Sequence, residues 1–168
     1  MRSSLAALLV AVLFNGCLGY HIGPAKPVYL RNVRSVSVPT FKNVTLLPRM
    51  EVLVTGTVIK QLQQDGTYRI TDEDKADATL KGEILRIYRL PSRSVRGNVL
   101  ATTEFTLTMR VRYTLVGRAG QTLAGPREVA GATSFFVGSD VTTDERQALP
   151  LAAEQLAIQL VSQLSEGW

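Results

Sequence analysis

The stretch EFTLTMRVRYTL, residues 104–115, decides the fold because apolar and polar residues alternate along its whole length. Successive side chains of a β-strand point to opposite faces, so this pattern predicts a strand that is buried on one face and polar on the other. The apolar set is Phe105, Leu107, Met109, Val111, Tyr113 and Leu115, and the polar set is Thr106, Thr108, Arg110, Arg112 and Thr114. The sequence therefore predicts a sheet with one open polar face, which is a surface for a partner or an amphiphile.

Weaker strand patterns lie on both sides of this stretch. The other predicted strands are residues 33–39, 67–70, 78–88 and 123–137. The last of these is expected to return beside residues 104–115 after a turn at 117–120, with an irregularity at Gly125-Pro126. Phe41-Lys42-Asn43 is expected to be a turn, and residues 71–77 an acidic connector.

A first helix is predicted over residues 48–64, where apolar residues recur about every fourth position. These residues are Met50, Leu53, Val54, Val58, Ile59 and Leu62. Pro48 is expected near the first helical position, and Asp65-Gly66 is expected to end the helix.

A last helix is expected to be capped by Thr142 or Thr143. Its apolar face consists of Leu149, Ala152, Ala153, Leu156, Leu160, Val161 and Leu164. The order is thus strand, helix, three or four strands, helix. This order predicts an α/β two-layer sandwich, in which two helices pack on one face of a small mixed sheet of about four strands.

The N-terminus has the pattern of a secretory signal peptide over residues 1–16. One arginine precedes LAALLVAVLF, residues 5–14, which is about half the length that a membrane-spanning helix needs. Phe14-Asn15-Gly16-Cys17 resembles the lipoprotein cleavage site at which the cysteine receives a diacylglycerol and an N-acyl chain. Cys17 is the only cysteine, and an unpaired thiol in an ordinary secreted protein is the alternative.

Residues 17–31 are expected to be a lipidated tether, because Pro24 and Pro27 disfavour a helix. Residues 32–168 are expected to form a single domain. Leu18 follows the cysteine where an aspartate would resemble an inner-membrane retention signal, so the outer membrane is the expected location, with the domain facing the periplasm.

The composition does not favour catalysis, a metal site or nucleic-acid binding. His21 is the only histidine, and no nucleophile or phosphate-loop motif is present. The one carboxylate cluster, Asp72, Glu73, Asp74 and Asp77, lacks the spacing of a calcium loop and is interpreted as a solvated turn. Nineteen Lys and Arg against fourteen Asp and Glu give a mildly basic chain, which suits an anionic surface or ligand better than nucleic acid. No cofactor besides the covalent lipid on Cys17 is expected.

The arginines are the candidate ligand-binding residues, because guanidinium groups bind phosphate through two hydrogen bonds. Four lie around Pro91 in RIYRLPSRSVR, and two lie on the polar face of residues 104–115. They are Arg86, Arg89, Arg93, Arg96, Arg110 and Arg112. A charged loop and a solvated sheet face remain the alternative.

Several segments in this order resemble the LPS-assembly lipoprotein LptE family. They are CLGYH (17–21), VSVPTFKN (36–43), PRMEVLVTGTVIKQL (48–62), ADATLKGEILRI (76–87), EFTLTMRVRYTL and AAEQLAIQLVSQL (152–164). The resemblance implies two helices on a sheet and an outer-membrane anchor. It also implies a role as a plug and assembly factor of the LptD β-barrel, which inserts lipopolysaccharide into the outer membrane. The alternative function is an outer-membrane lipoprotein that regulates cell-wall synthesis, as a non-catalytic binding module.

Overall fold

The computed structural model describes residues 26–95, 98–138 and 140–167. A 3₁₀ turn at Val28–Leu30 precedes the regular elements. These are β1 (Ser35–Ser37), β2 (Lys42–Asn43), α1 (Met50–Asp65), β3 (Arg69–Ile70), β4 (Ala78–Val95), β5 (Asn98–Gly117), β6 (Thr122–Phe136) and α2 (Val141–Ser165). Both helices pack against one face of a mixed sheet, so the predicted α/β sandwich is confirmed.

Strand β5 lies between β4 and β6 and is antiparallel to both. Its alternating pattern is confirmed, because Leu107, Met109, Val111, Tyr113 and Leu115 are all buried under the helices. The strand begins earlier than predicted, at Asn98, since the residues before 104 do not alternate strictly. The predicted irregularity at Gly125-Pro126 is also confirmed, because the β5–β6 register shifts beside it.

Within the described residues, the sheet has six strands, where about four were expected. Its order is β3-β1-β4-β5-β6, and β2 also pairs with β4. Strands β1 and β2 lie parallel to β4 and occupy successive parts of one edge, at Ala78 and at Ile84. The turn predicted at residues 41–43 is therefore wrong, because Lys42 and Asn43 form β2. A strand of two residues is too short to show a period in the sequence.

Helix α1 ends where the sequence indicates, and of the predicted apolar face it buries Met50, Val54, Val58 and Leu62, whereas Leu53 and Ile59 are half-buried. Gly66 has a φ of 72°, and its N–H donates to the carbonyl oxygen of Leu62 at 3.1 Å. The predicted start is wrong, since Pro48 lies outside the helix. Arg49 is the N-cap residue in a left-handed conformation, with a φ of 64°, and the first helical residue is Met50.

Helix α2 is capped by Asp140, so the prediction of a threonine cap is wrong. The Asp140 carboxylate accepts hydrogen bonds from the N–H groups of Thr142, at 3.0 Å, and Thr143, at 3.3 Å. Both threonines lie in the first turn, and a short carboxylate can accept from two free amides there. These hydrogen bonds, led by the one from the Thr143 hydroxyl, hold the pKa of Asp140 below its ordinary value.

The two helices run side by side in the same direction. At their C-terminal ends, the Ser165 hydroxyl donates to the Asp65 carboxylate at 2.8 Å. At the other end, Met50 of α1 and Leu149 of α2 line one cavity. The first two turns of α2 therefore extend beyond the start of α1.

The end of the predicted tether packs on the domain. Leu30 is fully buried, and the Lys26 ammonium donates to the carbonyl oxygen of Val33 at 2.7 Å and lies 4.5 Å from the centroid of the Tyr68 ring. These contacts place residues 26–31 with the domain, ahead of the expected boundary at residue 32.

Candidate functional site

The candidate site is the sheet face that points away from both helices, which we call the open face. Side chains directly opposite in an antiparallel ladder share a face. Val111 of β5 lies opposite Ile84 and Val129, and all three are buried under the helices, so their neighbours along each strand point to the other side. The open face includes Lys81, Glu83, Arg86, Tyr88, Leu90, Arg93, Glu104, Thr106, Thr108, Arg110, Arg112, Thr114, Glu128, Ala130, Ala132, Ser134 and Phe136.

A β-bulge at Leu85 decides which side chains of β4 reach the open face. Ile84 lies opposite Val111, and Arg86 lies opposite the next residue, Arg110, so Leu85 is the extra residue of β4. A bulge changes the face to which the following side chains point. Beyond Leu85, Arg86 therefore lies on the open face, whereas Arg89 lies on the helix face opposite Leu107.

Arg86 and Arg110 form a cationic pair on the open face. The Nε atom of Arg110 is buried and has no hydrogen-bond partner in the described part of the chain. The Arg86 guanidinium lies 5.5 Å from the centroid of the Tyr88 ring. Within the described ranges, neither guanidinium has a carboxylate within 4.0 Å. Like charges directly opposite repel, and a phosphate held by both groups would remove that cost.

Arg112 belongs to an ion-pair network and differs from Arg110 in this respect. Its Nη2 atom lies 2.9 Å from a carboxylate oxygen of Glu128, and its Nη1 atom lies 3.9 Å from one of Glu83. Glu83 also pairs with Lys42 at 3.0 Å. The network joins β2, β4, β5 and β6 across the open face, so Arg112 helps to hold the strands together.

Two of the remaining predicted arginines, Arg89 and Arg93, each pair with a carboxylate. Arg89 pairs with Glu145 of α2 and lies 5.4 Å from the centroid of the Phe105 ring. Arg93 lies on the open face and pairs with Glu104 at 3.6 Å. Arg96 lies outside the described residues. Among the five predicted arginines that the structure describes, Arg86 and Arg110 thus form the pair without a carboxylate, whereas Arg89, Arg93 and Arg112 each pair with one.

An apolar area lies on the same face, towards the end of β4 and β6. Leu90 is 58% exposed and Phe136 is 68% exposed. Leu90 lies opposite Thr106, and Phe136 lies opposite Glu104, so the two apolar side chains come from neighbouring positions of the ladder. Leu90 follows Arg86 by four residues, about 13 Å along β4, so the face carries a cationic pair and a separate apolar area that suit the anionic and apolar parts of one amphiphilic ligand.

The acidic segment has a structural role at Asp77. Its Oδ2 atom accepts hydrogen bonds from the N–H of Arg34, at 3.0 Å, and from the N–H and hydroxyl of Ser35, both at 2.9 Å. These bonds, led by that from Arg34, hold the pKa of Asp77 below its ordinary value. They tie the beginning of β1 to the beginning of β4.

Two other predictions fall on the N-terminus: Cys17 and His21 lie outside the described residues. In the part of the chain that is described, no three histidine, cysteine or carboxylate side chains are placed to share a metal ion. No helix there combines the length and the apolar character needed to cross a bilayer.

The sequence did not reveal the carboxylates that pair with Arg112 and leave Arg110 without one. Glu128 was detectable, because pairing residues 104–115 with 123–137 around the predicted turn brings a carboxylate opposite an arginine. The sequence could not show which face of the sheet Arg86 and Arg89 each occupy, because the bulge at Leu85 leaves no signal in an irregular apolar pattern.

A family model described as LptE, lipopolysaccharide-assembly, matches residues 33–164. The match includes both helices except the last residue of α2, and all six strands. No curated protein matches the sequence.

Solved structures with the same fold include three bacterial proteins. A minor lipoprotein from Acinetobacter baumannii has a TM-score of 0.55 at 16% identity, covering 79% of this chain and 93% of that chain. A protein from Xanthomonas campestris has a TM-score of 0.54 at 13% identity, covering 83% and 86%. The PelC dodecamer from Paraburkholderia phytofirmans has a TM-score of 0.51 at 18% identity, covering 87% and 94%. At these identities the likeness shows a shared fold.

Proposed function

Because the chain belongs to the LptE family of lipopolysaccharide assembly, we propose that it is a non-catalytic outer-membrane lipoprotein that partners an LptD-like β-barrel. In this role it serves as plug and assembly factor for the barrel that transports lipopolysaccharide and inserts it into the outer membrane. The family match over residues 33–164 is the observation that carries the proposal.

The open face has the character that a barrel plug needs. The lumen of an outer-membrane barrel is lined by polar side chains. The open face offers threonine hydroxyls along β5 and the network of Arg112 with Glu83 and Glu128, which leaves both donors and acceptors for a polar wall. This supports an arrangement in which the open face meets the barrel or its cargo.

Arg86 and Arg110 are the proposed contacts for a phosphate of lipopolysaccharide. The two arginines lie directly opposite each other in the β4–β5 ladder, and the Nε atom of Arg110 is buried without a hydrogen-bond partner among the described residues. Leu90, four residues further along β4, exposes an apolar side chain on the same face. Arg93 and Arg112 are weaker candidates for the phosphate contact, because each would first have to release the carboxylate with which it pairs.

The proposed anchor is a diacylglycerol and an N-acyl chain on Cys17 after removal of residues 1–16. Each buried methylene contributes about 0.8 kcal/mol, so several acyl chains hold a protein on a bilayer almost permanently. Eight residues lie between Cys17 and Lys26, and the nine Cα–Cα steps reach at most about 30 Å. The domain would therefore stay next to the inner leaflet of the outer membrane.

An affinity pull-down from detergent-solubilised outer membranes tests the proposal. The full-length chain and a Cys17→Ala variant are expressed in the native host, and bound proteins are identified by mass spectrometry. We expect a large β-barrel protein in equal amount with the full-length chain, and much less of it with Cys17→Ala, whose export to the outer membrane is blocked.

Two results would contradict the proposal. Recovery of an inner-membrane cell-wall synthase without a barrel would favour the regulator of cell-wall synthesis. Recovery of neither, from a chain shown to be in the outer membrane, would remove the barrel partnership.

A further inference from the structure

A cavity of about 350 Å³ lies between the two helices, on the opposite side of the sheet from the open face. It sits where α1 begins beside α2. Apolar side chains provide most of its lining, among them Leu47, Met50, Leu53 and Leu149. Small-molecule pockets measure about 300–1,000 Å³ and are mostly apolar with a few polar groups. The cavity is at the small end of this range.

Two arginines flank this apolar cavity, Arg49 from the start of α1 and Arg146 from the second turn of α2. Both are exposed, and neither has a carboxylate within 4.0 Å among the side chains that the structure describes. An apolar interior with a cationic rim is complementary to a molecule that has an apolar chain and an anionic head.

The segment leading to the cavity exposes further apolar side chains. Leu46, next to the lining residue Leu47, is 102% exposed, and Val44 is 48% exposed. Leu151, directly after the lining residue Pro150, is 52% exposed. Exposed apolar side chains grouped beside an apolar cavity mark a contact with an apolar partner rather than with water alone.

We propose that this cavity takes one acyl chain of an anionic glycerophospholipid of the membrane, with its phosphate held by Arg49 and Arg146. The small volume suits a single chain, and the arginines select an anionic head over a zwitterionic one. The site is separate from the open face and does not involve the proposed contacts for lipopolysaccharide, so it adds a second lipid-binding surface to the molecule.

The leaflet that holds the proposed anchor can supply this lipid. The chain enters the domain at Lys26, beside Tyr68, near the C-terminal ends of the helices, whereas the cavity lies at the start of α1. Helix α1 has 16 residues and is thus about 24 Å long. The segment from Cys17 to Lys26 reaches about 30 Å, so a domain that has not yet entered the barrel lumen can bring the cavity to the bilayer surface that holds the anchor. This step rests on the proposed function.

Photocrosslinking in vesicles tests the site on the purified full-length chain. One set of phosphatidylethanolamine vesicles contains phosphatidylglycerol with a diazirine in its acyl chain, and a second set contains phosphatidylcholine with the same group. After irradiation, peptide mass spectrometry locates the adducts. We expect adducts within residues 47–53 and at Leu149, with phosphatidylglycerol exceeding phosphatidylcholine by about fivefold or more, the factor for one arginine at an anionic surface.

A matched pair of double variants separates the site from general charge. Arg49→Glu with Arg146→Glu should lower the yield of phosphatidylglycerol adducts by about thirtyfold, because each of the two arginines contributes a factor of about five. The control variant, Arg31→Glu with Arg69→Glu, carries the same charge change at two other exposed arginines. It should leave the yield of phosphatidylglycerol adducts unchanged. Leu53→Trp, which fills the cavity, should also reduce the adducts. Thermal melting by circular dichroism confirms that each variant is folded.

The proposal is overturned if the adducts lie elsewhere, if both lipids label equally, or if the two double variants lose labelling to the same degree. A photoreactive phenylalanine analogue at Leu46 provides a second readout in native membranes. A phospholipid adduct there supports the site, whereas a crosslink to a protein, to a second copy or to lipopolysaccharide contradicts it. Recovery of the barrel in the pull-down is independent of these results, so failure of the two proposals can be told apart.

Discussion

Arg86 lies directly opposite Arg110 in the β4–β5 ladder, on the sheet face that both helices leave open. A like-charged pair in this position destabilises a sheet by about 0.2–1 kcal/mol. The neighbouring Arg112 has two carboxylates within 4.0 Å, so the same strand carries one neutralised arginine and one that is not. The chain thus retains an unneutralised pair of like charges at the place where we propose that a phosphate binds.

The first prediction concerns this cost. Arg110→Met keeps the apolar stem and removes both the repulsion and a buried, unpartnered Nε, so we expect the free energy of unfolding at low salt to stay equal or rise by up to about 1 kcal/mol. Arg112→Met removes exposed ion pairs and should lower it by about 0.5 kcal/mol. Urea denaturation measures both. Equal destabilisation by the two variants would contradict the assignment of Arg110 as unneutralised.

The second prediction concerns the contact between α2 and the sheet at Gly131. A Cβ there would collide with the backbone of α2, at the Ala152 carbonyl oxygen and the Leu156 nitrogen. Gly131→Ala should therefore lower the free energy of unfolding by about 1–3 kcal/mol, because backbone on both sides has to move. Gly56 of α1 has open space at the same position, so Gly56→Ala should raise it by about 0.5–1 kcal/mol. Opposite signs for the two variants in urea denaturation would verify the packing, and a neutral Gly131→Ala would refute it.

The parts of the fold that the sequence predicts are those governed by a long, repeated pattern. The alternation along β5 and the apolar face of α1 each involve several buried residues, so tertiary packing reinforces the local signal. Strand β3 lies within the strand predicted at residues 67–70, whereas β2 has two residues and forms by pairing with the edge of β4. Such pairing depends on contacts far apart in the sequence, and no local pattern encodes it.

The candidate site was predictable as a set of arginines but not as a geometry. Which arginine is free depends on cross-strand partners, such as Glu128 opposite Arg112, and on the bulge at Leu85. The extra residue at Leu85 exchanges the faces of the side chains that follow it up to the next register shift, after Pro91. Arg86 and Arg89 are three residues apart and lie on opposite faces of β4, whereas the sequence grouped them because both lie around Pro91.

The third prediction is a dependence of stability on pH at Asp77. Hydrogen bonds from Arg34 and Ser35 hold its folded-state pKa below the ordinary value of 3.8. A depressed pKa stabilises the fold above that ordinary value, and the contribution is lost as the pH falls through the folded-state pKa. The free energy of unfolding should therefore decrease below about pH 4, and Asp77→Asn should make this decrease smaller.

Denaturation with urea at a series of pH values measures the slope. Asp72→Asn is the matched control, since Asp72 contacts only the exposed Lys75 at 3.4 Å within the described hydrogen bonds and ion pairs of its side chain. An acid slope that both variants change equally would show that the hydrogen bonds at Asp77 are not its cause.

The last prediction uses the opposite faces of Arg86 and Arg89. Under the proposed function, Arg86→Gln removes one guanidinium from a phosphate of lipopolysaccharide. Because a charged hydrogen bond contributes about 1.5–3 kcal/mol, the affinity should fall by roughly tenfold or more. Arg89→Gln, three residues away but bound to Glu145 on the helix face, should leave the affinity unchanged and cost stability alone. Titration of each full-length variant with lipopolysaccharide in detergent, followed by intrinsic fluorescence, measures the affinity. A loss with Arg89→Gln that equals the loss with Arg86→Gln would show that binding follows net charge instead of the open face.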